Sequence, residues 1–220
     1  MIKFFEDSRY GSFFAISTEF PSDIVESKKP LMFIWNDEGK PMIFHVDGRQ
    51  ITLQHSSILC TTYMYNLRFD NSESDLKFLL FNREFYCIHT NDSEVSCNGL
   101  LFFGSDFTPI LDLSDSESST LRTLFSVLSE EFDIHDTGQE EMLRILLKRF
   151  IIRCTRMANN QIVQNGDNQT EIDLIRHYNV QVEEHYKTKR RWRTMLIFYS
   201  NLQKPSRMSS AKIQNTLPLR

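Results

Sequence analysis

The sequence has few of the residues that build catalytic or metal-binding motifs. It holds only 7 glycines and 4 cysteines among 220 residues, and it contains neither a phosphate-binding glycine loop nor a Gly-x-Ser-x-Gly motif. It has no Cys-x-x-Cys pair for zinc and no His-x-His pair of the kind that cupin enzymes use to hold a metal ion. These absences favour a non-enzymatic protein without a metal or other cofactor.

Long hydrophobic stretches are missing as well. Residues 1–21 are interrupted by Glu6, Asp7, Arg9 and Glu19, so they lack the continuous apolar region of an export signal. No stretch is long enough to cross a bilayer. We therefore predict a soluble cytoplasmic protein without membrane contact. The cysteines that lie within apolar runs, Cys60, Cys87 and Cys154, are predicted to be buried, reduced thiols.

Phenylalanine and an uneven distribution of charge are what the chain does have. Its 18 phenylalanines can bury a large apolar area in one medium and one small domain. Nine basic and no acidic residues lie from Lys187 onward, whereas the preceding residues hold 16 basic and all 29 acidic ones. A basic end on an acidic body favours a polyanionic partner; a basic tail without a partner is the alternative.

Short strands are predicted between residue 30 and about residue 105. The runs are apolar or β-branched, and turn residues separate several of them, with Asp47-Gly48 as a two-residue hairpin signal. Such strands without intervening helices predict a sandwich or barrel. The predicted strands are 31–35, 42–46, 50–54, 58–62, 76–81, 85–89 and 100–103.

Two capping boxes, Ser114 with Glu117 and Thr137 with Glu140, then introduce helical periodicity. The second helix, predicted over 140–159, carries apolar residues on more than one face. Since a helix that is wet on one side needs a single apolar stripe, we predict contact with a second subunit; burial of both faces in the monomer is the alternative. The stripe is Leu143, Leu147, Phe150, Cys154 and Met157, and beside it lie Met142, Ile145 and Leu146.

Three segments resemble the AraC-type bacterial transcription regulators. They are EVSCNGLLFFG at 94–104, following FYCIH at 85–89; EMLRILLKRFIIRCTR at 141–156; and DLIRHYNVQVEEHYKTK at 173–189. The resemblance covers residues 1 to about 189 and lies in the order and spacing of these elements.

The resemblance implies an α+β fold with a cupin-like β-barrel, an antiparallel helical hairpin and a partial C-terminal helical segment. The implied domains are a sensor barrel over 1–112, a dimerisation hairpin over 113–160, a linker over 161–170, and the first helix and incomplete remnant of a helix-turn-helix domain over 171–220. The implied function is effector sensing and homodimerisation in a DNA-binding regulator, with the stripe from Leu143 to Met157 as the dimerisation residues and a small-molecule effector as ligand. Cys60, Tyr63 and Tyr65 are candidate pocket residues, although packing in the core is the alternative for each.

The sequence departs from the family pattern after Lys189. The remaining 31 residues are too few for two helix-turn-helix units, and Pro205 would interrupt a helix there. We therefore expect truncation or a frameshift near codon 190, which translation of the gene in the other two frames would test. We also expect impaired DNA binding that depends on contacts with phosphates. The residues expected to make these contacts are Lys187, Lys189, Arg190, Arg191 and also Arg193. The alternative function is a small cupin without DNA binding, either a ligand-binding module or a metal-dependent enzyme.

Overall fold

The computed structural model describes residues 2–69, 76–86, 100–103 and 109–165. These residues form nine strands and four helices. The strands are β1 Ile2–Asp7, β2 Ser12–Ser17, β3 Leu31–Asn36, β4 Met42–Val46, β5 Arg49–Leu53, β6 Ser57–Thr62, β7 Leu67–Phe69, β8 Leu76–Phe81 and β9 Ile110–Asp112. The helices are α1 Ser22–Lys28, α2 Leu100–Phe103, α3 Asp115–Glu131 and α4 Gln139–Asn165.

The strands form two antiparallel sheets that face each other. The large sheet has the order β1-β2-β8-β3-β6-β9, and the small sheet has the order β5-β4-β7. Because side chains alternate between the faces of a strand, the large sheet buries one set of residues against the small sheet and the other set against the helices. The described residues therefore form three layers, namely the small sheet, the large sheet and the helices α2, α3 and α4, while α1 packs against the inter-sheet side.

Two groups of buried side chains hold these layers together. The inter-sheet core, between the two sheets, consists of Phe13, Ala15, Met32, Ile34, Met42, Phe44, Val46, Leu53, Leu59, Leu76, Phe78 and Leu80. The helix-side core joins the other face of the large sheet to α2, α3 and α4; it includes Phe33, Phe81, Leu101, Leu121, Leu124, Leu147 and Phe150. Helices that lie on one face of antiparallel sheets confirm the predicted α+β class, and the described pairings form two sheets without showing closure into a barrel.

Local sequence signals explain several of these elements. Asp47 and Gly48 both have positive φ angles, 50° and 78°, as a two-residue turn between β4 and β5 requires. Ser114 caps α3 and forms the predicted capping box with Glu117, since each side chain accepts a hydrogen bond from the other residue's backbone N–H. Both predictions are confirmed.

Other sequence predictions differ from the structure. Residues 100–103, predicted as a strand, form the helix α2, because periodicity cannot distinguish a short buried strand from a buried helical turn. Phe85 lies in a turn rather than in a strand, and 87–89 lie outside the described residues. The second capping box is also wrong: at the start of α4, Asp136 accepts a hydrogen bond from the backbone N–H of Gly138. Moreover, α4 continues to Asn165, five residues into the predicted linker.

Candidate functional site: the helix pair and its contacts

The inner face of α4 lies in the core of the chain. All five residues predicted to mediate dimerisation are buried in the helix-side core. Phe150 packs edge-on against Phe33 of β3, with 5.1 Å between the ring centroids. These five side chains are therefore covered by the chain's own sheet and helices and are not presented to a second subunit: Leu143, Leu147, Phe150, Cys154 and Met157.

The outer face of α4 carries exposed apolar side chains. Met142 is 43% exposed and Ile145 is 51% exposed, whereas their neighbour Leu146 is buried. Glu141 and Arg149, both exposed, lie about one helical turn before and after Ile145. The second apolar face predicted beside the stripe is thus present, with Met142 and Ile145 exposed on it and Leu146 buried.

Two cysteines pack together beneath the helix pair. Cys60 of β6 and Cys154 of α4 are fully buried and not joined by a disulfide. Burial raises the pKa of both thiols, and proximity to Cys154 raises the pKa of Cys60 further. Both are therefore protonated and poorly nucleophilic at neutral pH, which agrees with the predicted structural role of these two residues.

An ionic cluster fastens α3 to the large sheet. The Asp37 carboxylate, directly after β3, accepts a hydrogen bond from Lys77 Nζ at 2.5 Å and from Arg122 Nε at 2.9 Å. The Asp37 side chain is only 5% exposed, while Lys77 and Arg122 are 27% and 39% exposed. One buried carboxylate therefore links β3, β8 and α3.

Aromatic rings complete this cluster. Lys77 Nζ lies 4.6 Å from the centroid of the Trp35 ring and 5.4 Å from that of Phe125. Trp35 and Phe125 themselves pack edge to face. Desolvated cation–π contacts add to the attraction that Asp37 provides, so Lys77 is held between a carboxylate and two rings at the boundary between sheet and helix.

A groove separates the first turns of α3 from the later turns of α4, which shows that the two helices run antiparallel. One part has a volume of about 210 Å³ and is lined by Glu117, Thr120, Leu121, Arg153, Arg156, Met157 and Asn160. An adjoining part of about 500 Å³ shares Glu117, Met157 and Asn160 and reaches the end of β9; its other lining residues are Ile110, Asp112, Leu113, Ser114 and Gln161. The groove thus crosses the junction of the sheet and the helix pair.

The space between the two sheets is occupied by side chains. The twelve residues of the inter-sheet core are each at most 8% exposed. Of the three candidate pocket residues, Cys60 faces the helices instead, and Tyr65 packs against the edge of the inter-sheet core. Tyr63 is half-buried. The structure therefore does not bring these three residues together around one pocket.

The remaining candidate residues are distributed as follows. Lys187, Lys189, Arg190, Arg191 and Arg193 lie outside the described residues, as do Cys87 and Cys97. Within the part of the chain that is described, no three His, Cys, Asp or Glu side chains are grouped so as to hold a metal ion together. Over the same residues, no helix combines the length and the apolar character needed to cross a membrane.

Comparison with known proteins finds likeness among solved structures only. No family model matches the sequence, and no curated protein is significantly similar to it. Among solved structures, the chain is similar to the AraC-like transcriptional activator CuxR, with a TM-score of 0.40 and 10% sequence identity over 93% of this chain and 71% of that one. A likeness of this degree does not decide the function of the chain.

Sequence reasoning missed the ionic cluster and the groove. Asp37 occurs in a turn sequence, Asp-Glu-Gly-Lys, and such residues usually indicate an exposed loop. The available signal was Arg122, which interrupts the apolar side of α3 next to Leu121 and needs a partner there. The groove had no signal of its own, because it depends on how two helices cross.

Proposed function

We propose that this chain is the effector-sensing and dimerisation part of an AraC-type transcription regulator. On this proposal the two sheets form the cupin-like sensor, α3 and α4 form the dimerisation hairpin, and the chain performs no catalysis. Support comes from the order of the three segments that resemble this family and from a two-sheet domain followed by an antiparallel helix pair. The observation that carries the proposal is the apolar outer face of α4, with Met142 and Ile145 exposed over a fully buried inner face.

A second copy of the chain is the occupant that best fits this outer face. If two α4 helices cross antiparallel with Ile145 at the centre, Glu141 of each copy comes opposite Arg149 of the other. A twofold axis therefore gives two equivalent ion pairs around one apolar centre, as a self-complementary interface requires. The polar rim contributes specificity, and Met142 and Ile145, which become buried on association, contribute most of the affinity.

Replacing Ile145 with glutamate tests this interface. We expect the wild-type chain to sediment as a dimer and Ile145→Glu to be at least tenfold weaker in self-association, because the change buries a charge at the twofold axis. Ile43→Glu is the matched control, since Ile43 is 36% exposed on β4, in the small sheet. A strictly monomeric wild-type chain, or equal weakening by both variants, would contradict the proposed interface.

DNA binding is proposed to be weak and insensitive to sequence. The basic residues from Lys187 to Arg191 provide phosphate contacts by charge alone, and such contacts weaken steeply as salt is added. A complex that keeps its affinity in added salt and discriminates between DNA sequences would instead indicate an intact sequence-reading domain. Stoichiometric iron, zinc or manganese in the purified protein would favour the metal-dependent cupin enzyme.

A further inference from the structure

The groove between α3 and α4 combines charged side chains with an apolar floor. We propose that it binds an organic anion with an apolar portion, and that this anion is the effector of the chain. The assignment of the ligand as an effector rests on the proposed function. Binding itself does not, and it can be measured without DNA or a dimer.

The inter-sheet space leaves little room for such a ligand. Its buried apolar side chains include three large aromatic rings, Phe13, Phe44 and Phe78, all fully buried. Phe44 also stacks on Phe69 at 5.4 Å between centroids. A ligand entering there would have to displace close-packed side chains, whereas the groove between the helices already provides volume.

Two arginines give the groove its charge preference. Arg153 and Arg156 lie three residues apart on α4, so they project from the same side of the helix, and both line the groove. Within the described residues, neither guanidinium has a carboxylate at ion-pair distance. Guanidinium groups bind carboxylate and phosphate oxygens through paired, charge-assisted hydrogen bonds, and two adjacent ones favour an oxyanion over a neutral ligand.

Two acidic side chains line the groove, Glu117 beside the arginines and Asp112 at the end of β9. The one beside the arginines is already engaged. The Glu117 carboxylate accepts hydrogen bonds from the backbone N–H and hydroxyl of Ser114, at 2.8 and 2.7 Å. It also lies in the first turn of α3, where the helix dipole favours a negative charge. Its charge is therefore balanced by the helix start and not by the arginines, which leaves the arginines available.

Apolar side chains form the floor of the groove. Leu121 is 1% exposed and Met157 is 6% exposed, and both line the part that also holds the arginines. Ile110 and Leu113 extend this apolar lining towards β9. Because the two arginines stand beside this apolar floor, the ligand should combine an oxyanion with a short apolar chain or ring.

Calorimetric titration of the full chain with four probes tests this assignment. Octanoate carries both features, 1-octanol carries only the apolar chain, and inorganic phosphate carries only the oxyanion. Octyl phosphate then distinguishes a carboxylate preference from a phosphate preference. We expect octanoate or octyl phosphate to bind at least tenfold more tightly than octanol and inorganic phosphate.

Variants then place the binding in the groove. Arg153→Ala with Arg156→Ala should weaken binding at least tenfold, and Asn160→Trp should do the same by filling the groove from an exposed position. Arg68→Ala is the control, because Arg68 is an exposed arginine on β7 of the small sheet, away from both the groove and the proposed dimer face. Circular dichroism and melting temperature show whether each variant is folded.

The outcomes separate this site from the proposed function. Tight octanoate binding that the groove variants abolish and Arg68→Ala preserves supports the site, even if the chain proves monomeric. Absence of binding by all four probes at millimolar concentration overturns it, as does equal binding of octanol and octanoate. Unchanged affinity in both folded groove variants also overturns it, and would mean that the groove is covered by another part of the chain or that the anion binds elsewhere.

Discussion

The two faces of the large sheet are buried in different ways. Towards the small sheet, its side chains meet other apolar side chains, with Met32, Ile34 and Phe78 at the centre. Towards the helices, a similar apolar core is bordered by the ionic cluster around Asp37 and by the groove with Arg153 and Arg156. One face is thus a packed core alone, and the other is a core with charged groups and open volume at its rim.

This difference indicates where the molecule can respond to a ligand. Close-packed apolar layers resist small displacements, so the two sheets should behave as one rigid body. The helices are attached to that body partly by apolar contacts and partly by directional, charge-dependent contacts. A change in helix position therefore needs only the second kind of contact to be rearranged, and the helix pair carries both the proposed dimer face and the proposed ligand groove.

The largest expected effect comes from removing a ring on either side of the sheet. Phe150→Ala on the helix side and Phe44→Ala on the inter-sheet side should each lower the free energy of unfolding by about 3–5 kcal/mol, because each leaves a cavity in a fully buried site. Urea denaturation followed by fluorescence measures both. If Phe150 were instead an interface residue, its variant would lose dimerisation and keep the stability of the monomer.

The ionic cluster should matter less than the core but more than a surface pair. Asp37→Asn removes the charge that Lys77 and Arg122 share, and both cations are partly exposed and can turn towards water. We therefore expect a loss of about 2 kcal/mol, below the cost of breaking a fully buried pair. The same denaturation experiment measures it.

A second ion pair provides the matched control for that experiment. Lys3 Nζ contacts Asp133 at 2.6 Å, but the Asp133 side chain is 69% exposed. Asp133→Asn should therefore cost less than about 1 kcal/mol. Equal losses for Asp37→Asn and Asp133→Asn would show that burial of the Asp37 carboxylate adds nothing to the attachment of α3.

The fold was largely predictable from local sequence patterns. The strands β4 and β8 were predicted with their observed bounds, and β3, β5 and β6 were displaced by one residue at one or both ends. The Asp47-Gly48 hairpin and the Ser114 capping box succeed for the same reason, since each depends on residues close together in sequence. The β1–β2 hairpin was missed because Lys3, Glu6 and Asp7 interrupt the apolar pattern of an edge strand.

The functional assignments were harder to predict because they depend on which face of an element is covered. The pattern of α4 correctly indicated two apolar faces but could not show which one the sheet covers. In the structure the large sheet covers the face that carries Leu143 and Met157, and Met142 and Ile145 on the other face remain exposed. Likewise, Asp37 and Arg122 are 85 residues apart, and only the packing of α3 against the sheet brings them together.

A pH dependence of the helix-side core is also expected. Burial raises the pKa of the Cys60 and Cys154 thiols, whereas a thiol in the unfolded chain has a pKa of about 8.5. Above that pH the unfolded chain releases protons that the folded chain retains, so the free energy of unfolding falls as pH rises. The stability is fully present below about pH 8.5.

Urea denaturation at pH 7.5 and pH 9.5 measures this contribution. Wild type should lose about 1.4 kcal/mol per buried thiol between the two values, beyond the loss seen in a Cys60→Ala, Cys154→Ala variant. The comparison uses the pH slope and not the absolute stability, because the alanines also leave cavities. Equal slopes would mean that the two thiols reach solvent in the folded chain, and the helix side would then be less tightly closed than the inter-sheet side.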